Sequence, residues 1–394
     1  MRASNESDLC GRSQAEHDKG TGTTRRNFLK TSTAMSGEKR QRGQIRMIHK
    51  RTSRLLMFYL SVVFVLLFLM AGQPPTVRAA QREPTDPFVV NRKLGCGVNI
   101  IGYDPIWRSR DKARFKARYF GMIKDAGFAT VRINLHPFRH MDRDKDYALA
   151  ESWWDVLNWA VDNALQSDLM VILDMHEFGA MGREPEANKA RFLAFWRQVS
   201  ARLQDAPDRV LFEILNEPSR KLSSDMWNRY FRQALAIIRK TNPTRTVIIG
   251  PAHYNSTGHL AELDLPQDDR HIILTVHYYS PMDFTHQGAR WAGRQDKTGI
   301  EWRGTEAEKA AIERDFAKAQ AWAKQHDRPV FLGEFGVYDR APMESRVRYL
   351  KFVTRAMEKL GWSWAYWQFD SDFILYDVDA DKWVEPIRDA LVPD

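Results

Sequence analysis

Two glutamates, Glu217 and Glu334, have the residue type and the setting that best suit chemistry in this sequence. Glu217 ends the run LFEILNEP, and Glu334 lies within FLGEFG. Each follows a short apolar segment typical of a buried β-strand, where a carboxylate is costly unless it is paired or hydrogen-bonded. Two facing carboxylates suit glycosidic bond hydrolysis, because one protonates the leaving oxygen while the other attacks the sugar or activates water.

Further polar residues stand at or near the C-terminal ends of other apolar runs. They are Arg132 and Asn134 in TVRIN, Asp174 and His176 in LMVILDMH, Asn216 beside Glu217, His277 and Tyr279 in VHYY, and Trp367 in WAYW. Taken singly, each has a structural explanation: a histidine can be a hydrogen-bonded structural residue, and Arg132 can be a buried ion-pair partner. The C-terminal ends of parallel barrel strands converge on one face, so the complete set predicts a site.

The sequence lacks the short motifs that are typical of several other enzyme classes. It contains no GxSxG, no HExxH, no GxGxxG and no paired CxxC, and Cys96 is the one cysteine after Cys10. These patterns are typical of serine hydrolases, zinc proteases, dinucleotide-binding folds and structural zinc sites. We therefore expect no metal and no cofactor.

The elements that must position these residues are eight apolar runs that alternate with amphipathic stretches. The runs are 95–101, 130–134, 169–176, 210–217, 246–250, 272–277, 330–334 and 362–367. Such alternation predicts βα units around a parallel sheet, and eight strands close a barrel. An open doubly wound sheet usually has a glycine-rich turn after its first strand, and the turn GYDPIW is not one.

The predicted fold class is therefore α/β, a (β/α)8 TIM barrel forming a single domain over residues 81–394. The longest irregular stretch, 281–304, lies between the sixth and seventh strands. A loop of that length is usually functional or mobile.

The net charge of +9 does not indicate nucleic-acid binding. Residues 1–80 hold 14 Lys/Arg and 5 Asp/Glu, so the rest of the chain carries 45 residues of each sign. A formally neutral body gives no basis for a basic patch. The 13 tryptophans instead suit a protein that stacks aromatic rings on flat sugar faces.

Residues 47–80 predict a signal peptide or, if uncleaved, a signal anchor. The segment contains Lys50, Arg51 and Arg54, then the apolar run 55–72, then Ala79 and Ala80. This order is that of a secretory signal, and the apolar run also matches the length of a membrane helix. We expect residues 1–46 to be a disordered leader or a mis-assigned start, and the protein to be secreted, periplasmic or membrane-anchored.

The motifs FEILNEP, VHYYSP followed by FTHQGARW, FLGEFG and SWAYWQFD closely resemble those of glycoside hydrolase family 5, especially its bacterial endo-β-1,4-glucanases. The resemblance spans roughly residues 90–392. It implies a (β/α)8 barrel and retaining hydrolysis through a covalent glycosyl-enzyme intermediate, with Glu217 as acid/base and Glu334 as nucleophile. Matched by motif, the implied substrate-binding residues are Arg132, His176, Asn216, His277, Tyr279 and Trp367.

Two departures from the family pattern leave the substrate open. His176-Glu177 stands where similar enzymes often have two histidines, and NLHPFRH replaces a proline and tryptophan after the second strand. The expected partner is a β-glucan polysaccharide or oligosaccharide bound by a monomer. β-Mannan, xyloglucan and mixed-linkage β-glucan remain alternatives, as does a non-catalytic carbohydrate-binding barrel.

Overall fold

The computed structural model describes residues 86–393, and they contain a closed barrel of eight parallel strands. The strands are β1 (Cys96–Ile100), β2 (Thr130–Leu135), β3 (Met170–Met175), β4 (Val210–Glu213), β5 (Val247–Ile249), β6 (Ile272–Tyr278), β7 (Val330–Phe335) and β8 (Ser363–Tyr366). Pairing of β1 with β8 closes the barrel, so the predicted (β/α)8 fold is confirmed. The predicted leader and export signal lie outside the described residues.

Helices surround the barrel and cover its base. They are α1 (Pro87–Leu94), α2 (Arg118–Asp125), α3 (Glu151–Gln166), α4 (Phe178–Arg183), α5 (Pro185–Arg202), α6 (Ser224–Thr241), α7 (Met282–Thr285), α8 (Glu306–His326), α9 (Met343–Lys359) and α10 (Glu385–Leu391). None of the helices within residues 86–393 is both long enough and apolar enough to cross a membrane.

Amphipathic spacing explains why the long helices form and how they pack. In α6, Trp227, Phe231 and Ile238 recur at helical intervals and are buried against the barrel. Ser223 caps the N-terminus of the helix, because its hydroxyl accepts a hydrogen bond from the Met226 amide. Such a cap stabilises a helix by about 1 kcal/mol. The same pattern of buried stripes fixes which side of each helix faces the strands.

Side chains inside the barrel change from apolar at its base to polar at its mouth. The lower layer contains Val90, Leu94, Met170, Ile172, Leu211, Ile248, Ile273, Phe331 and Ala365. Side chains of a strand alternate between its two faces, so Asp174 follows Met170 and Ile172 into the barrel, and Glu213 follows Leu211. The alternation thus delivers carboxylates to the upper layer, where all these groups are buried.

The predicted end of β4 differs most from the structure, whereas the other strands agree with their predicted bounds to within one residue. β4 ends at Glu213, not at residue 217, because the chain then leaves the sheet while Asn216 N still donates to the Met175 carbonyl at 3.0 Å. The 281–304 segment, which the sequence predicts to be functional or mobile, is closed by hydrogen bonds of one side chain. The buried Gln287 side chain pairs with both backbone groups of Ile300, at 2.8 and 2.9 Å, and this bond pair closes the loop.

Candidate active site

Arg132 on β2 lies at the centre of the polar upper layer and is fully buried. Its guanidinium donates two hydrogen bonds to Glu213, at 2.7 and 2.8 Å. It also donates to Glu334 Oε1 and to Asn216 Oδ1, each at 2.8 Å. With a further bond to Asn99, the five N–H donors of the guanidinium hold four partners at once, whereas a lysine ammonium has only three donors.

Glu334 on β7 is held from two sides. Arg132 occupies one carboxylate oxygen, and the Tyr279 hydroxyl donates to the other at 3.2 Å. Burial raises the pKa of Glu334 to about 7, although the positive charge of Arg132 acts in the opposite direction. This carboxyl is consequently oriented and poised to ionise near neutral pH.

Glu217 follows β4 in a left-handed backbone conformation, with φ of 43°. Residues other than glycine rarely adopt this region, and such strain is common at functional sites. Burial raises the pKa of Glu217 to about 8, so its carboxyl is mainly protonated at neutral pH. One Glu217 oxygen and one Glu334 oxygen lie within 4.8 Å of each other.

His277 on β6 lies between the two glutamates and Asn255, which follows β5. Its Nδ1 lies 2.9 Å from Glu217 Oε1 and 3.7 Å from Glu334 Oε2. The Asn255 amide lies 3.2 Å from Nε2, and when it donates there the ring proton of neutral His277 points at Glu217. Burial lowers the pKa of His277, which favours that neutral form.

Gly333 is required for the position of the His277 ring. A Cβ at Gly333 would lie 2.8 Å from both His277 Nε2 and Thr275 Oγ1. The pairing of β6 with β7 shifts register at this point, so that His277 pairs with Glu334. The glycine and the shift together place an imidazole beside the candidate nucleophile.

His176 and Trp367 form the opposite wall of the site. The two rings are parallel, with centroids 5.4 Å apart, and His176 Nδ1 lies 2.6 Å from Asp174 Oδ2. Burial lowers the pKa of His176 well below its ordinary value, so the ring is neutral. Trp367 is 8% exposed, which leaves only a small part of its ring for contact with a sugar.

The structure brings all eight sequence-predicted residues to the barrel mouth. They are Glu217, Glu334, Arg132, His176, Asn216, His277, Tyr279 and Trp367. Glu213, the last residue of β4, pairs with Arg132.

Several residues of the site were not predicted. Asn99 accepts from Arg132 at 2.7 Å, and its only sequence signal is a polar residue at an inward position of β1. Asn255 after β5 contacts His277. The exposed rings of Tyr103 and Trp291 lie beside Trp367 and His286, respectively, and suit sugar faces. Nothing in their local spacing distinguishes them from surface aromatics.

The two departures from the family pattern contact each other. Glu177 Oε1 accepts a hydrogen bond from the Phe138 amide at 2.7 Å, which joins the end of β3 to the HPFRH loop. Burial raises the pKa of Glu177. A cavity of about 480 Å³ adjoins them, lined by Tyr103, His136, Phe138, Arg139, Glu177 and Arg191.

Two groups within residues 86–393 place three possible metal ligands close together. Glu217, His277 and Glu334 form one, and His253, His259 and Glu262 form the other. In each group the ligand atoms lie within 4.8 Å of one another. The first coincides with the candidate catalytic centre, and the second lies outside it.

Comparisons with known proteins agree with this geometry. The family model Cellulase (glycosyl hydrolase family 5) matches residues 92–372. Endoglucanase H of Acetivibrio thermocellus is 31% identical over 327 residues, which cover 80% of this chain and 35% of that longer protein. The chain thus spans about a third of that relative.

Two solved structures are similar over their full length. A hyperthermophilic endo-β-1,4-glucanase in complex with substrate is 36% identical, with a TM-score of 0.75, covering 79% of this chain and 100% of that one. Cel5A of Thermotoga maritima, solved with cellobiose, is 35% identical with a TM-score of 0.74, covering 78% and 100%. Cel5A has also been solved with mannotriose.

Proposed function

This chain belongs to the cellulase family, glycosyl hydrolase family 5, and we propose that it is a retaining endo-β-1,4-glucanase. The observation that carries the proposal is the distance between one oxygen of Glu217 and one of Glu334, which is within 4.8 Å. Retaining enzymes hold their carboxyl groups about 5–5.5 Å apart, whereas inverting enzymes separate them by about 6.5–9.5 Å to admit water. The catalytic unit we assign is residues 81–394.

In the proposed reaction Glu334 attacks the anomeric carbon while Glu217 protonates the leaving oxygen. The glycosidic bond breaks as the Glu334–sugar bond forms, and the leaving alcohol takes the Glu217 proton. Glu217, now ionised, then removes a proton from water, which attacks the anomeric carbon and releases Glu334. Arg132 and Tyr279 support this by holding the Glu334 carboxylate in one orientation.

Asn216 is the residue we assign to the sugar 2-hydroxyl. Its Oδ1 is already occupied by Arg132, so its amide NH2 is the group left to donate. That amide lies near His176 Nε2, at 3.5 Å, and the pair forms a polar edge below Trp367. The donated bond orients the 2-hydroxyl so that its own proton can point to a carboxylate, and a hydrogen bond that the 2-hydroxyl donates strengthens as positive charge develops on the ring.

Linear β-1,4-glucan is the substrate we propose. Relatives that carry endoglucanase names support that choice. β-Mannan is the second candidate, because the similar Cel5A has been solved with mannotriose. Glu177 and the 281–304 loop lie where we expect such preferences to be set.

The test is reducing-sugar release by the purified protein on carboxymethyl-cellulose, barley β-glucan, xyloglucan and galactomannan in parallel. We expect the wild type to release reducing sugar from the first two substrates. In both Glu217→Gln and Glu334→Gln the rate of hydrolysis is expected to fall at least ~1,000-fold, on the order expected for removing a catalytic group. Glu313→Gln, an exposed replacement on α8, is the matched control.

Three outcomes would contradict parts of this proposal. Release mainly from galactomannan or xyloglucan would reject the glucan assignment. Binding without hydrolysis would favour a carbohydrate-binding barrel. An inverted anomer as the first product, seen by proton NMR, would reject Glu334 as nucleophile.

A further inference from the structure

His253, His259 and Glu262 form a compact group on the surface after β5, outside the residues assigned to hydrolysis. The two imidazole rings are stacked, with centroids 3.9 Å apart and planes 20° apart. Both present a nitrogen to Glu262: His253 Nε2 lies 3.6 Å from Oε2, and His259 Nδ1 lies 2.7 Å from Oε1. Each residue therefore offers one ligand atom, and the three atoms lie within 4.8 Å of one another at the surface.

The neighbouring elements hold these ligands in place. Two residues of α6 fix Glu262, since the Ser224 hydroxyl donates to its carboxylate and the Asn228 amide donates to its carbonyl at 2.8 Å. Ligands that are oriented by such hydrogen bonds bind a metal more tightly than free ones.

His253 is presented by an unusual turn. His253, Tyr254 and Asn255 all have φ between 54° and 64°, although none is a glycine. A run of three left-handed residues is strained, and it persists only where surrounding contacts impose it. Here the Tyr254 amide donates to the Pro218 carbonyl at 3.2 Å, and the Asn255 side chain packs against Gly250 and contacts His277.

We propose that His253, His259 and Glu262 form a binding site for a borderline divalent metal ion such as Zn²⁺. Two imidazoles and one carboxylate suit Zn²⁺, Ni²⁺ or Cu²⁺, whereas Ca²⁺ and Mg²⁺ prefer oxygen ligands. Tetrahedral bonds of about 2.0–2.1 Å separate ligand atoms by about 3.3 Å, which lies between the two distances in this group, 2.7 and 3.6 Å. Water completes the coordination at this exposed position.

The site has a consequence for the barrel mouth, because the turn that carries His253 also contacts the candidate catalytic residues. Its backbone reaches Pro218, which follows Glu217, and its Asn255 reaches His277. A metal bound by His253 and by His259 and Glu262 of the 257–262 segment would link the two segments and restrain this turn. We therefore assign the ion a positioning role for His277, with no part in bond breaking.

Calorimetric titration of the metal-stripped, tag-free full chain with ZnCl2 tests the site. We expect binding that weakens at least 10-fold in His259→Gln and in Glu262→Gln. His326→Gln, which removes a histidine on α8 away from the group, is expected to bind as the wild type does. Glu217→Gln, which breaks the other three-ligand group, is also expected to retain the binding.

Hydrogen exchange tests the positioning role in the same samples. Zn²⁺ is expected to slow exchange of the amides in 252–262 at least 3-fold in the wild type and to leave it unchanged in Glu262→Gln. Wild-type affinity in both His259→Gln and Glu262→Gln would overturn the site, as would loss of binding in Glu217→Gln. Unchanged exchange in a protein that binds Zn²⁺ would overturn the positioning role.

Discussion

At the residue scale, Glu217 and Glu334 differ in the neighbouring groups that offset the effect of burial on their pKa values. Both lose water, which raises both pKa values. Glu334 contacts the permanently charged Arg132 directly, while Glu217 contacts neutral His277. The pKa of Glu334 is therefore the lower of the two, which suits an ionised nucleophile beside a protonated acid.

This ordering predicts a narrow bell-shaped pH profile of kcat/KM on soluble glucan. Activity is expected to rise with ionisation of Glu334 at a pKa of about 7 and to fall with ionisation of Glu217 at a pKa of about 8. The two apparent values belong to the coupled pair. A profile whose limbs both lie near pH 4–5 would contradict the burial argument.

The Glu217→Gln variant separates the two limbs. An aryl cellobioside has a leaving group that does not need protonation by an acid. With this substrate, the pH dependence of the variant's burst of phenol release is expected to lose its basic limb. The acidic limb is expected to stay near a pKa of about 7, because Glu217 is mainly protonated while Glu334 ionises, so the neutral amide removes little charge. Glu177→Gln, which removes a different buried carboxyl at the barrel mouth, serves as the control and is expected to keep both limbs.

At the element scale, the site depends on how neighbouring strands end. β6 and β7 pair with a register shift that brings His277 opposite Glu334, and only a residue without Cβ fits at Gly333 between them. β5 continues into the left-handed turn whose Asn255 contacts the same imidazole. The position of His277 is consequently set by three strands, β5, β6 and β7, and not by its own strand alone.

Gly333→Ala is expected to displace His277 and to lower kcat/KM at least 10-fold, with a loss of about 1–3 kcal/mol in the free energy of unfolding. The new Cβ would lie 2.8 Å from two side-chain atoms. Steady-state kinetics and urea unfolding measure the two effects. Gly121→Ala in α2, where a Cβ meets no atom within 4 Å, is the control and should retain activity with equal or greater stability.

At the scale of the whole molecule, the barrel holds its polar mouth at a cost in stability. Asp174, Glu213 and Glu334 are buried around the single guanidinium of Arg132, and the half-buried Glu217 lies beside them. Burying several carboxylates near one cation is unfavourable unless some are protonated. The apolar lower layer and the helices must therefore supply the stability that this layer lacks.

Glu217→Gln is expected to make the protein more stable than the wild type at pH 8, by about 1–3 kcal/mol in the free energy of unfolding. The pKa of Glu217 is raised on folding from 4.5 to about 8, so the unfolded chain releases this proton first. The folded state consequently loses stability as the pH rises from about 4.5 to about 8.

Urea unfolding of the variant and the wild type at pH 5 and pH 8 measures this effect. The stability advantage of the variant should be small at pH 5 and grow toward pH 8. Glu313→Gln, an exposed replacement, is the control. An equal difference at both values of pH would contradict the assignment of the raised pKa to Glu217.

The sequence by itself determined the barrel and the residues at its mouth. Alternating apolar runs are short-range patterns, and the ends of eight parallel strands converge in any such barrel, so Glu217, Glu334 and Arg132 were predictable as neighbours. Only the tertiary structure decided which pKa is higher, the left-handed backbone at Glu217 and the contact of Asn255 with His277. These features depend on burial and on contacts between residues far apart in the chain, which local spacing does not encode.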